Sequence, residues 1–116
     1  MKTETRIIQG LGREITFYIG KTQAENFDVI DKGNPDDLWF HAKGVSSCHV
    51  VCEVPPDIQK KELSYIIKMG SLLCKQNTNK LKAEPRVEFI YTACKHVEKT
   101  NISGSVITKK YKTIVC

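Results

Sequence analysis

Apolar and polar residues alternate along several short stretches of the chain, and this pattern is typical of strands with one buried face. Over Glu14–Gly20 every second side chain is a large apolar one. A shorter apolar run at Arg6–Gln9 precedes it, and the glycine-rich link 10–13 joins the two. The pattern therefore predicts a hairpin of two strands at the start of the chain.

A different spacing predicts two helices. Thr22 and Glu25 form a capping-box pattern, which predicts a short helix over about 22–32 with Gly33 as its C-terminal cap. A long helix is predicted over about 57–77, opening after two prolines. Its buried stripe follows 3, 4 spacing and comprises Leu63, Ile66, Ile67, Gly70, Leu73 and Cys74. A glycine within such a stripe predicts close contact with another element.

Between the two helices lie two apolar runs, Leu38–Ala42 and Cys48–Val54, separated by a short polar segment. They predict a strand, a tight connection and a second strand. Because side chains alternate across a strand, Trp39 and His41 share the more polar face of the hairpin, and His49 lies on the same face of the second strand. If the strands pair, the two histidines lie close together beside Trp39.

The last third of the chain predicts strands again. Alternation begins at Val87 and continues to Val97, and Asn101–Gly104 forms a turn. Ser105–Thr108 and Lys112–Val115 are predicted to make a final pair of short strands. The order of elements predicts one domain over residues 1–116 in the α+β class: a mostly antiparallel sheet with the long helix packed on one face.

Composition narrows the class of protein. The chain has 116 residues, of which 41% are hydrophobic and 27% charged, as in ordinary globular domains. No apolar run approaches the roughly 20 residues needed to cross a membrane, and the first residues lack the apolar core of a signal peptide. The five scattered cysteines are expected to be reduced thiols. We therefore expect a cytoplasmic protein with no membrane partner.

Positive charge is concentrated in one half of the chain. Residues 1–56 carry six Lys and Arg against eight Asp and Glu, whereas residues 57–116 carry twelve against five. The net charge is +5 and the isoelectric point about 9.0. A basic half of this kind favours a polyanionic partner, although a lysine-rich solubilising surface gives the same count.

The central hairpin carries a specific resemblance. It consists of Asp37-Leu38-Trp39-Phe40-His41 followed by Ser46-Ser47-Cys48-His49-Val50. This pattern resembles the core motif of the NFACT-R family, which is the RNA-binding domain at the C-terminal end of ribosome quality-control factors of the RqcH and NEMF type. The resemblance extends over roughly residues 13–116. Its further matches are Gly20-Lys21, Asn26, Tyr91-Thr92, Val97, Lys99, Gly104-x-Val106 and Lys112-Thr113-Ile114.

The resemblance implies a stand-alone, non-catalytic domain that binds RNA, with tRNA or ribosome-bound RNA as the most concrete partner. DNA is a second possible ligand, and a protein partner would have to supply the missing NFACT domains for a role in translation or ribosome quality control. The residues it implies for nucleic-acid binding are Lys21, Asn26, Trp39, His41, Lys43, Ser47, His49, Lys99 and Lys112. Trp39 is open to two interpretations: its ring stacks on a base or packs in the core.

Other chemistries are less well supported. A zinc site is suggested by a group of possible ligands: Cys48, His49, Cys52, Cys94 and His96. Their spacing is not that of zinc knuckles, and cysteines on the apolar side of a strand act as small hydrophobes. A thiol- or metal-dependent enzyme therefore ranks below a protein-interaction adaptor, which is the main alternative to RNA binding. We expect no metal, no cofactor and no enzymatic activity. Asp37 is expected to cap backbone amides where its strand begins.

Overall fold

The computed structural model describes residues 1–7, 12, 14–102 and 105–116. In these residues it contains two α-helices, eight strands and one 3₁₀ turn. The elements are β1 (Lys2–Ile7), β2 (Glu14–Gly20), α1 (Gln23–Lys32), β3 (Leu38–Ala42), β4 (His49–Cys52), α2 (Lys60–Gln76), β5 (Glu88–Ala93), the 3₁₀ turn (Cys94–His96), β6 (Val97–Lys99), β7 (Val106–Thr108) and β8 (Lys112–Val115).

The described strands form one main sheet in the order β1-β2-β4-β3-β5-β8, with every neighbouring pair antiparallel. The predicted α+β class is confirmed. The N-terminal hairpin is present as β1 paired with β2, although β1 starts earlier than the apolar run at Arg6–Gln9 indicated. Gln9 lies outside the described residues. So does the predicted link 10–13, apart from Gly12.

One face of the sheet packs against α2. Phe40, Val50 and Cys52 from the central strands contact the apolar stripe of the helix, which includes Ile66 and Leu73. Both helices lie where the sequence predicts them. The long helix begins at Lys60 and not at 57, because the two prolines lead into a turn whose Ile58 amide donates to the carbonyl of Pro55.

Gly70 makes the closest approach between α2 and the sheet. A β-carbon placed there would lie 2.2–2.4 Å from ring atoms of Phe40. Real β-carbon contacts do not come this close, so the glycine lets the Phe40 ring sit directly against the helix backbone. The predicted close contact at this glycine is confirmed.

The opposite face of the sheet holds a second, smaller core that the sequence did not predict. Trp39 and Val51 point to this side and pack with Val29 of α1 and with Cys94 and Val97. The face predicted to be the more polar one of the hairpin is therefore largely covered. Amphipathic α1 and the segment after β5 supply the cover.

The predicted pairing of the two last short strands is wrong. β7 pairs with β6 in a separate two-stranded sheet, and β8 pairs with β5 at the edge of the main sheet. The chain leaves the main sheet at the 3₁₀ turn, where the amide of Cys94 donates to the carbonyl of Asp37 and the amide of Lys95 to that of Pro35. β6 and β7 therefore pair with each other outside the main sheet. Residues 103 and 104 of the predicted turn lie outside the described residues.

Candidate nucleic-acid interface

The β3–β4 hairpin brings the two histidines together as predicted. Its register pairs Trp39 with Val51 and Phe40 with Val50. This register sets His41 opposite His49, and their ring centroids lie 4.8 Å apart in an edge-on arrangement. The proximity predicted from side-chain alternation is confirmed.

Trp39, however, is a core residue. Its side chain is 1% exposed, and its indole N–H donates to Nδ1 of His49 at 3.2 Å. The ring also lies parallel to that of His41, with centroids 5.7 Å apart. Of the two interpretations left open for Trp39, the structure supports core packing and not base stacking: α1 and the β6–β7 segment cover this face, and the ring packs against the two histidines from within the domain.

His49 is a buried, neutral acceptor. Burial, followed by the neighbouring His41, lowers its pKa from 6.5 to about 3. Since Nδ1 accepts the indole proton of Trp39, the ring proton of His49 resides on Nε2. The structure therefore gives His49 a positioning role beneath the surface.

His41 is the accessible member of the trio. It is half-buried and lines two surface depressions. Burial, and to a smaller extent the ammonium of Lys80, lowers its pKa. At neutral pH the His41 ring is thus an uncharged hydrogen-bonding group held against Trp39.

Ser47 and Asn26 fix the hairpin in place. The Ser47 hydroxyl accepts a bond from the Ala42 amide at 3.0 Å and donates to the carbonyl of Cys48 at 2.9 Å. The side-chain oxygen of Asn26, a buried residue of α1, accepts from the amide of His49 at 3.3 Å. Both residues therefore position the hairpin and also border the surface above it.

Side-chain acceptors already occupy two backbone amides at the N-terminus of α1. Thr22 Oγ1 accepts from the Glu25 amide at 3.1 Å, which confirms the predicted N-cap. The Glu25 carboxylate in turn accepts from the Lys21 amide and pairs with the N-terminal ammonium of Met1. These two donors hold the pKa of Glu25 below its usual value. Two amides at this corner are thus occupied, while the Lys21 side chain is exposed.

Three depressions join around the β3–β4 turn. The first, of about 440 Å³, lies between the start of α1 and the end of α2 and includes Lys21 and Lys80. The second, of about 180 Å³, is bordered by His41 and shares Ser46 with the first. The third, also about 440 Å³, shares His41 and Ser46 with the second and includes Lys43. We call this surface, from Lys21 and Lys80 through His41 to Lys43, the hairpin groove.

The hairpin groove differs in charge from an acidic depression elsewhere on the protein. Among the described residues, none that lines it is acidic. A depression elsewhere on the protein is lined by Glu14, Asp37 and Glu53. The side-chain ammonium groups of Lys21 and Lys80 form no salt bridge within the described part of the chain. The groove is therefore suited to an anionic ligand.

The other predicted lysines differ in their availability. Lys43 lies 3.7 Å from the Glu88 carboxylate, an exposed pair of the kind that contributes little and opens readily. Lys99 pairs with Asp31 at 2.5 Å and lies over the Phe27 ring, and it borders none of the three depressions. Lys112 borders a separate cavity beside β8.

Sequence reasoning missed Lys80 and Tyr111, both of which line the hairpin groove. Lys80 follows the end of α2, in the polar, basic stretch 77–86 between the long helix and β5. Tyr111 lies in the connection between the two strands whose pairing was mispredicted. The basic character of the stretch after α2 was the one available signal for Lys80.

The cysteines do not converge on a metal site. Cys48 and Cys52 lie on the α2 side of the sheet, whereas Cys94 lies in the core on the other side. Burial raises the pKa of Cys94 to about 12 and raises that of Cys52 further. These two thiols are protonated core groups. Asp37 caps as predicted, accepting from the amides of Asn34 at 2.8 Å and Val54 at 2.9 Å.

Comparisons with known proteins agree with this architecture. The family model described as "NFACT protein RNA binding domain" matches residues 10–110. The chain is 34% identical over 94 residues to Coiled-coil domain-containing protein 25 of Danio rerio, covering 73% of this chain and 42% of that protein. It is 32% identical over 88 residues to the Dictyostelium discoideum homolog, covering 75% of this chain and 43% of that protein. The chain thus spans less than half the length of these relatives.

A solved structure shares the fold. The C-terminal part of the fibronectin/fibrinogen-binding protein from Streptococcus suis matches with a TM-score of 0.79 and 22% identity. The match covers 99% of this chain and 45% of that one. No helix in the part of the chain that the structure describes is long and apolar enough to span a membrane.

Proposed function

The chain belongs to the NFACT RNA-binding domain family, and from this premise we propose that it binds RNA through the hairpin groove without catalysing a reaction. The observation that carries the proposal is the absence of acidic side chains from the described lining of a groove that holds Lys21, Lys43 and Lys80. Phosphate contacts supply much of the binding free energy of such modules, and a lining free of carboxylates avoids repelling the phosphates.

Each part of the groove has its own role in this mechanism. The lysine ammonium groups contact phosphates and set the path of the RNA backbone. His41, neutral and half-buried, offers a ring nitrogen to a base edge or a ribose hydroxyl. Trp39 and His49 hold the His41 ring in position from below.

We further propose tRNA or ribosomal RNA as the ligand, in the cytoplasm and in the context of translation or ribosome quality control. The family match supports RNA as the ligand, and the resemblance of the hairpin motif to that of ribosome quality-control factors favours these two RNAs. The chain spans less than half the length of the relatives it matches, so we propose for it only the RNA-binding step of such a process. Single-stranded DNA is the natural competitor, since phosphate contacts alone do not distinguish it from RNA.

The test is a titration of the protein with a labelled single-stranded RNA at several salt concentrations. We expect the affinity to fall with salt, and the double variant Lys21→Gln/Lys80→Gln to lower the slope of log affinity against log salt by roughly 0.7 for each lost phosphate contact. Lys60→Gln/Lys61→Gln, at the other end of α2, removes the same charge and serves as the matched control.

Two results would contradict the proposal. One is RNA affinity that does not depend on ionic strength. The other is an equal loss in the groove variant and in the Lys60/Lys61 control, because equal losses would mean that net charge, and not this surface, determines binding.

A further inference from the structure

Tyr111 occupies the junction between the hairpin groove and a second cavity. Its side chain is 50% exposed. It lines the third depression of the groove together with His41 and Lys43, and it also lines a cavity of about 630 Å³ between α2 and the β5–β8 edge of the sheet. We call the latter the β8 cavity; it is bordered by Leu63, Ile67, Tyr91, Lys110, Tyr111 and Lys112. One ligand can therefore follow the surface from the groove into this cavity past the Tyr111 ring.

The β8 cavity combines apolar walls with a cationic rim. Leu63, Ile67 and Tyr91 form its apolar side, and Lys110 and Lys112 stand at its rim. Its volume lies in the range of small-ligand pockets, about 300–1,000 Å³. A cavity of this kind suits a flat, apolar ring that carries an anionic group.

Its lysines are available for such a ligand. Within the described residues, neither Lys110 nor Lys112 forms a salt bridge, and no acidic side chain lines the cavity. The nearby Lys109, in contrast, pairs with Glu98 at 2.8 Å. The charge of the rim therefore selects an anion and disfavours a purely apolar segment.

We propose that the β8 cavity is a nucleotide subsite, in which an unpaired base stacks on Tyr111 while Lys110 and Lys112 contact its flanking phosphates. The inference rests on the proposed RNA binding and extends it to a single-stranded segment. Stacking on an aromatic ring is the common way in which proteins hold unpaired bases, and it tolerates any base. Tyr111 thus supplies the exposed ring that Trp39, buried in the core, does not.

The test uses the full chain and a single-stranded RNA oligonucleotide of about ten nucleotides, within the range of sites on such modules. The oligonucleotide contains the fluorescent base 2-aminopurine, whose emission is quenched by stacking. We expect Tyr111→Ala to weaken binding about 5-fold or more and to remove the quenching that depends on the protein. Tyr111→Phe, which keeps the ring, should preserve both.

Two controls separate stacking from other effects. Tyr65→Ala removes a tyrosine that is 48% exposed on α2 and lies outside both cavities, so it should bind RNA as the unmodified chain does. An oligonucleotide with abasic sites in place of its bases should bind Tyr111→Ala and the unmodified chain equally.

The outcomes distinguish this subsite from the proposed function. If Tyr111→Ala binds and quenches like the unmodified chain while Lys21→Gln/Lys80→Gln binds more weakly, the subsite is overturned and RNA binding by the groove stands. If the unmodified chain shows no salt-dependent RNA binding, the proposed function itself fails. If a labelled acidic peptide binds in a Tyr111-dependent manner and RNA does not, the cavity is a protein-docking site and the nucleotide assignment is overturned.

Discussion

The indole N–H of Trp39 donates to Nδ1 of His49 at 3.2 Å, deep within the domain. This bond joins two residues of the recognisable hairpin motif and selects one tautomer of the histidine. It also explains why an aromatic residue beside two histidines is not a base-stacking surface here: the polar edge of the indole is satisfied internally. The buried residues of the motif therefore hold the His41 ring in position from below.

Replacing Trp39 with Phe tests this relationship. The variant leaves Nδ1 of His49 buried without its donor and leaves part of the indole volume empty. We expect the free energy of unfolding to fall by about 1–3 kcal/mol for the lost partner alone, with a cavity contribution added. Urea denaturation measures this change. If Trp39 instead lay in the RNA site, the variant would lose RNA affinity without losing stability.

The buried histidine predicts a specific pH dependence. The pKa of His49 is about 3 in the folded protein and 6.5 for an unperturbed histidine, so the unfolded chain binds more protons between these two pH values. The contribution of neutral His49 to the free energy of unfolding is therefore fully present above about pH 6.5. It is lost as the pH drops toward 3, which lowers the free energy of unfolding by about 2–5 kcal/mol in total. His41, whose pKa is also lowered, acts in the same direction.

Urea denaturation at pH 7.5, 6.5, 5.5 and 5 checks this prediction, in a range chosen above the main titration of carboxylates. His49→Gln should reduce the slope of stability against pH over that range, because it removes one group that must stay neutral. A flat stability profile in the unmodified chain between pH 6.5 and 5 would contradict the prediction.

Gly70 is predicted to tolerate no larger residue. Gly70→Ala places a methyl group within 2.4 Å of the Phe40 ring, so overpacking should outweigh the gain in helix propensity and lower the free energy of unfolding by about 1–3 kcal/mol. Thermal or urea denaturation measures this effect. Adding Phe40→Leu should make the loss at position 70 smaller, and additive losses would show that the two residues do not compete for space.

Lys80 and Lys99 are predicted to differ in their effect on RNA affinity. Lys80 lines the hairpin groove without a salt bridge to any described residue, whereas Lys99 pairs with Asp31 away from it. Lys80→Gln should therefore weaken RNA binding several-fold and Lys99→Gln should leave it nearly unchanged, with the same change in net charge. Anisotropy titrations compare them, and a larger loss for Lys99→Gln would contradict this assignment of the surface.

Local patterns in the sequence predict the fold class, both helices and the central hairpin, because capping residues and side-chain alternation act over a few neighbours. The close approach at Gly70 is predictable for the same reason. The separation of β7 from β8 is not, since it depends on carbonyl groups of Pro35 and Asp37 that are distant in sequence from the 3₁₀ turn. Because the sequence paired β7 with β8, it did not indicate that the β6–β7 segment covers Trp39 or that Tyr111 is exposed.

The candidate site was predictable only in part for a related reason. The motif identifies His41 and His49, but it does not reveal which of them reaches the surface, because that depends on what α1 and β6–β7 cover. Lys80 enters the groove through the long-range packing of α2. Charge counts along the chain show that one half is basic, but they do not show which lysines lie close together on the folded surface.

An NMR titration of the isotope-labelled chain with single-stranded RNA reports directly whether RNA binds in the hairpin groove. We expect amide signals over residues 21–26, 43–47 and 78–80 to shift together and these shifts to weaken as salt is added. Shifts confined to the acidic depression around Glu14, Asp37 and Glu53, with the hairpin groove unchanged, would contradict it.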